Sequence, residues 1–187
     1  KTKYKAKKIK AVFFDIDDTL RVKDTGYIPE TIKTVFAELK EQGILTGIAT
    51  GRAYYGVVPE LRELQPDFYI TINGACILDK DAKVIRKHTI AKDVVERYID
   101  WAKEHHIEYG FTGAEKAIIS KSTDLINDAM VPVYGQCEVD PDFYQSNDVY
   151  QMWTFEDIGD DLELDEALKK SLRLVRSNLY DQSFVTL

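Results

Sequence analysis

The 187-residue chain carries 32 acidic against 25 basic side chains, a formal net charge of −7 at pH 7, which excludes the basic surface that nucleic-acid binding normally needs. Hydrophobic residues at 44% and charged residues at 30% are ordinary for a folded globular chain and exclude extended disorder. No run approaches the ~18 apolar residues of a membrane span, and Cys76 and Cys137 lie far apart without a CxxC spacing or a paired His, so the chain reads as a cytoplasmic protein with reduced thiols.

The Lys-rich start, Lys1 to Lys8, reads as solvated charge at a terminus. The stretch Ile9 to Leu20 then predicts a strand: Ala11, Val12, Phe13 and Phe14 show no polar alternation, as in a short strand buried on both faces of a parallel sheet. It ends in Asp15, Asp17 and Asp18, at the carboxyl edge where open α/β sheets place their ligands. Carboxylates this close repel one another, so one is protonated or a cation sits among them, and hard oxygen donors favour Mg²⁺ or Ca²⁺. A calcium loop counted from Asp15 needs Gly at its sixth position and Glu at its twelfth; Leu20 and Gly26 stand there. The plainer alternative is an acidic cap on a following helix.

Asp24-Thr25-Gly26 marks a turn in a short hairpin flap over Arg21 to Ile28. Pro29 opens a helix with Ile32, Val35, Phe36 and Leu39 on one face, and Gly43 ends it. Ile44 to Thr50 predicts a second buried strand, and Gly51 and Arg52 begin a helix whose backbone N–H groups suit a phosphate. Tyr54, Val57, Val58, Leu61 and Leu64 form the apolar face of that helix, and Pro66 closes it. A parallel crossover brings the ends of successive strands to one edge, which sets Thr50 beside Asp15. A third strand, Phe68 to Ile72, leads into Asn73-Gly74-Ala75. Cys76 to Leu78 and Val84 to Ile90 then predict a hairpin whose second strand crosses into another domain.

From about Lys80 the pattern is mixed: helix Asp93 to His106, strands Ile107 to Phe111 and Ala117 to Ser120, helix Thr123 to Met130, strand Val149 to Phe155, and a helix carrying Leu164, Leu168, Leu172 and Val175. His88, His105 and His106 lack a triad or metal spacing, and a histidine pair near a helix end suits its negative dipole.

Asp15-Ile16-Asp17-Asp18-Thr19 resembles the DxDxT motif of the haloacid dehalogenase-like (HAD) phosphotransferases, Gly47 to Arg52 resembles the ATGR form of their Cof-type phosphatases, and Asn73 to Ala75 matches the NGA of that type. The resemblance implies an α/β fold with a Rossmann-like core, here partial (residues 1–80), and an α+β cap of type C2 (residues 81–187). It implies Asp15 as the nucleophile forming an aspartyl phosphate, Asp17 as general acid and base, and Thr19 as a brace of the loop. Thr50, Gly51, Arg52 and Asn73 become the phosphate-binding residues, and Mg²⁺ sits on the Asp15 carboxylate and the Asp17 backbone carbonyl. The expected function is Mg²⁺-dependent hydrolysis of a small soluble phosphorylated metabolite. The alternatives are a non-catalytic binding module and a phosphomutase using the same aspartate. The family's later Lys and its GDxxxD motif are not found; Gly159 to Asp165 imitates the longer GDxxxxD form, but an acidic helix start explains it more simply. The chain is therefore expected to continue for about 70 to 100 further residues and to be inactive alone, with Arg52 the only cation near three aspartates.

Overall fold

In the computed structural model, which describes residues 9–155, 163–176 and 182–186, the apolar run after Ile9 forms strand β1 (Ala11–Phe14). The Lys-rich start lies outside the described residues. The chain folds as two compact units, Lys1–Lys87 and His88–Leu187.

In the first unit, helix α1 (Thr31–Glu41) carries the crossover from β1 to β2 (Leu45–Ala49), and β2 pairs in parallel with both β1 and β3 (Phe68–Thr71). Ile32 and Phe36 are the buried face of α1, and Phe36 meets Phe14 with ring centroids 5.1 Å apart. The Asp67 carboxylate accepts from the Thr46 backbone N–H at 2.8 Å and so ties the entry of β3 to β2. Strands β4 (Cys76–Asp79) and β5 (Val84–Lys87) continue the same sheet antiparallel, giving the order β1-β2-β3-β4-β5. The hairpin expected to cross out of the core thus belongs to this unit's own sheet.

The helix expected to begin at Gly51 and Arg52 and to run through Leu64 does not start there: Gly51 to Ala53 are non-helical, a 3-10 turn, Tyr54–Gly56, follows, and then a four-residue helix α2 (Pro59–Arg62). Pro59 has no N–H to give, and its ring would collide with the carbonyl four residues back, so it starts a helix rather than sitting inside one. The flap closes by backbone bonds from Val22 N–H to the Tyr27 carbonyl and from Gly26 N–H to the Val22 carbonyl, both 2.8 Å; no strands form in it.

The second unit is built on a six-stranded sheet in the order β10-β11-β9-β6-β7-β8. Its strands are β6 (Glu108–Thr112), β7 (Ala117–Ile119), β8 (Glu138–Val139), β9 (Gln151–Phe155), β10 (Arg173–Arg176) and β11 (Gln182–Thr186). Helix α3 (Lys92–Glu104) buries Val95, Tyr98, Ile99 and Ala102 in one cluster with Phe111, Ile118, Met152 and Leu168. The Tyr98 hydroxyl satisfies itself inside the core, 2.8 Å from Thr154 Oγ1 and 3.2 Å from the Trp153 carbonyl. Helix α4 (Asp124–Tyr134) is capped by Thr123, whose Oγ1 accepts from Ile126 N–H at 3.2 Å. At the end of α3, His105 donates through Nδ1 to the Trp101 carbonyl at 2.8 Å, the dipole-facing role expected of it.

The helix expected to carry Leu164 to Val175 is instead a 3-10 turn, Leu168–Lys170, and then strand β10. Leu164, Leu168 and Leu172 keep a helical spacing and are buried, but from Leu172 onward the chain alternates inward and outward and pairs with β11, which pairs with β9. Gly159 to Leu162 of the acidic stretch lie outside the described residues; Asp165 caps the turn, accepting from Ala167 N–H at 2.9 Å and Leu168 N–H at 2.7 Å. No helix of the described residues is long and apolar enough to cross a membrane.

Two stability results follow from this packing. A Cβ on Gly110 would lie 2.7 Å from the Ile118 carbonyl oxygen, a backbone atom that cannot swing aside. Gly110→Ala is therefore expected to destabilise by about 1 to 3 kcal/mol; an unchanged denaturation midpoint would refute the close approach. Burial pushes the Tyr69 phenol up to about 12, with Tyr54 adding to the effect and Arg62 opposing it; burial does the same for Tyr109, helped by Asp142, Tyr144 and Glu108. The unfolded chain gives up these protons near pH 10, so their contribution is present below that pH and is lost as pH rises through the folded values. Stability should fall between about pH 10 and 12, and Phe at both positions should flatten that limb of an unfolding profile.

Candidate functional site

The acidic loop is held by one buried residue. Ile16 is fully buried, and its carbonyl accepts from the N–H groups of Thr19, Leu20 and Arg21 at 3.3, 3.0 and 2.9 Å. That turn, with Asp18 in the left-handed region at φ 59°, folds the chain back directly after β1. Asp15 is left exposed at the end of the strand, Asp17 is half-buried, and Thr19 is exposed. Asp18 closes the loop by accepting from Lys23 N–H at 3.0 Å.

The ends of β2 and β3 supply the facing wall. Thr50, buried, donates its N–H to the Ile70 carbonyl at 2.9 Å, accepts from Asn73 N–H at 3.2 Å, and takes the Arg52 N–H on its hydroxyl at 3.1 Å. Asn73 and the preceding Ile72 both have positive φ, 53° and 52°. Such a conformation is costly for a β-branched residue and is characteristic of functional turns. It brings the Asn73 amide against Gly51, where a Cβ would lie 3.1 Å from Oδ1. Asp15, Ala49, Thr50, Gly51, Ile70, Asn73 and Gly74 line one open cavity of about 360 Å³. Of the six residues expected to act in catalysis or phosphate binding, four, Asp15, Thr50, Gly51 and Asn73, thus share a wall.

The other two, Asp17 and Arg52, are joined to each other off that wall. Arg52 donates through Nε and Nη2 to the two oxygens of Asp17 at 2.9 and 2.7 Å. Arg52 is not the only cation here: Arg21 Nη1 lies 4.0 Å from Asp17 Oδ1. An arginine four residues after a motif aspartate was the available signal for it. Ala49, Ile70 and Gly74 were also missed, being apolar or featureless positions that enter the site only because strands end there.

Among the described residues no three His, Cys, Asp or Glu side chains gather as a metal site. With both oxygens of the Asp17 carboxylate on Arg52, the acidic loop still presents the exposed carboxylates of Asp15 and Asp18, the latter with one oxygen on Lys23 N–H. This is an all-oxygen set, which fits Mg²⁺ in kind, an ion that keeps several waters.

A family model described as haloacid dehalogenase-like hydrolase matches residues 12–185. The chain belongs to this family. It is 54% identical over 176 residues to a putative bifunctional phosphatase/peptidyl-prolyl cis-trans isomerase of Streptococcus pyogenes, covering 94% of this chain and 37% of that protein. It is 29% identical over 148 residues to the putative phosphatase YkrA of Bacillus subtilis, covering 78% of this chain and 57% of that relative. The chain therefore spans between about a third and three fifths of the length of these two relatives. Among solved structures, a Geobacillus kaustophilus protein aligns with a TM-score of 0.79 at 26% identity, over 95% of this chain and 69% of that one. A Thermotoga maritima protein aligns with a TM-score of 0.80 at 17% identity, again over 95% and 69%, and shows the fold alone. The α/β reading and the HAD resemblance both hold.

Proposed function

We propose that this chain carries the nucleophile and the phosphate cradle of a Mg²⁺-dependent phosphomonoester hydrolase of the Cof type, acting in the cytoplasm on a small soluble phosphorylated metabolite. The observation that carries the reading is the shared cavity of Asp15, Thr50, Gly51 and Asn73. The unit Lys1–Lys87 is read as part of the catalytic core and His88–Leu187 as a C2-type cap. The names of the relatives, both putative phosphatases, support the same class.

An Asp15 oxygen attacks phosphorus and the ester oxygen leaves, taking a proton from Asp17; water then attacks phosphorus, Asp17 takes its proton, and phosphate departs with Asp15 restored. The Thr50 hydroxyl, the Gly51 N–H and the Asn73 amide hold the phosphoryl oxygens, since positioning and charge stabilisation dominate this chemistry. The Asp15 carboxylate and the Asp17 carbonyl would hold Mg²⁺, which would supply the positive charge that lets an anionic carboxylate approach an anionic ester.

The full-length protein given p-nitrophenyl phosphate and Mg²⁺ is expected to release phosphate, to stop on addition of EDTA, and to resume when Mg²⁺ is restored in excess. Release indifferent to EDTA would remove the metal from the reading. Transfer of the phosphoryl group to an added sugar phosphate instead of water would make the protein a phosphomutase, and phosphate binding without turnover would make it a binding module.

A further inference from the structure

Arg52 is the most heavily tied side chain near the acidic loop. Its planar fork gives two parallel bonds to Asp17, at 2.9 and 2.7 Å, and Nη1 gives a third to the Gly56 carbonyl at 3.1 Å. Its backbone is held as well, N–H on Thr50 Oγ1 at 3.1 Å and C=O by Ile72 N–H at 3.0 Å. The side chain is only 12% exposed, and neither it nor Asp17 lines the cavity shared by Asp15, Thr50, Gly51 and Asn73. A residue that binds the phosphoryl group would turn its fork into that cavity; this one turns it away.

We propose that Arg52 is a positioning residue that acts on the reaction through Asp17 and does not bind the phosphoryl group. The proposal rests on the hydrolase reading above. A carboxylate on a free side chain samples several rotamers, whereas a fork gripping both oxygens fixes the carboxylate plane. Each oxygen keeps a further lone pair, because a carboxylate has about four acceptor sites and the fork uses two, and such a site can accept a proton from water and carry the one passed to the leaving oxygen. Gly56 anchors the far side of the guanidinium, so the orientation is set by the turn after β2 and handed across to the loop after β1. Lysine supplies the charge but not the fork.

Three measurements on the full-length protein test this. Arg52→Met is expected to lower kcat about 10- to 100-fold, the scale of a small misplacement of a reacting group, with Arg52→Lys recovering only part of the loss and KM nearly unchanged. In a double-mutant cycle, Asp17→Asn with Arg52→Met should be no slower than Asp17→Asn alone, because the two act as one unit; losses that multiply would overturn the proposal. Calorimetric affinity for inorganic phosphate, which needs no turnover, should stay within threefold of wild type in Arg52→Met and Arg52→Lys; a tenfold loss in both would make Arg52 a phosphate ligand. Thermal midpoints close to wild type in Arg52→Lys separate these effects from misfolding. Absence of Asp15-dependent turnover in the wild type would defeat the hydrolase reading, while the phosphate titration would still decide where Arg52 acts.

Discussion

Asp15→Asn in the full-length protein is expected to cut phosphate release by a factor on the order of 10³ or more, since an amide cannot serve as the attacking carboxylate. The size of the effect follows from the placement of the residue. Asp15 is exposed at the carboxyl end of β1, makes no ion pair among the described residues, and opens directly onto the cavity lined by Thr50, Gly51 and Asn73. Replacing it removes the reacting atom and leaves the loop, which hangs on the Ile16 carbonyl and the Asp17–Arg52 pair, as it is. Folding stability should stay within about 0.5 kcal/mol of wild type or rise slightly, because one of three clustered negative charges is gone. Initial rates with an aryl phosphate and a thermal melt of the same preparations measure both halves. Turnover within tenfold of wild type would move the nucleophile elsewhere.

The parts of this site that could be read from sequence are those whose chemistry is local. A strand that ends in acids, a strand that ends in Thr-Gly-Arg and an Asn-Gly turn each announce themselves over a few residues, and the handedness of parallel crossovers brings their ends together. The grip of Arg52 on Asp17 joins residues 35 positions apart, and nothing in the composition of either neighbourhood encodes it. The two misassigned helices failed for different reasons. Over Tyr54 to Leu64 the apolar spacing was helical, but Pro59 made the middle of the segment a beginning. Over Leu164 to Val175 three leucines at intervals of four fit a helix, while Leu172 and Leu174 equally fit the inward face of a strand. The pairing partner β11 lies further along the chain, so the choice between periods was made by tertiary contact and not by the segment itself.

Asp17→Asn separates proton transfer from nucleophilic attack, and its effect should depend on the leaving group. With an alkyl phosphate, whose departing oxygen needs a proton, loss of a positioned acid and base is expected to slow turnover about 10²- to 10⁴-fold. With a p-nitrophenyl ester the departing phenolate needs no proton, so formation of the aspartyl phosphate should survive while its hydrolysis, which still needs a base, should lag. The expected signature is a burst of nitrophenolate close to one per active site, followed by a slow steady rate. The substitution also alters the loop: an amide presents one acceptor and one N–H₂ to a guanidinium that made two parallel bonds, so Arg52, 12% exposed, keeps one good partner there and the Gly56 carbonyl. That half-satisfied donor should cost on the order of 1 kcal/mol. Mg²⁺ affinity discriminates the two aspartates independently of rate. Asp15→Asn removes a proposed side-chain ligand, whereas Asp17→Asn leaves its proposed ligand, a backbone carbonyl, in place. A calorimetric titration should therefore find Mg²⁺ binding weakened more in the first variant than in the second. Equal weakening in both would mean that the Asp17 carboxylate leaves Arg52 to reach the metal, and the division of roles between the two aspartates would have to be redrawn.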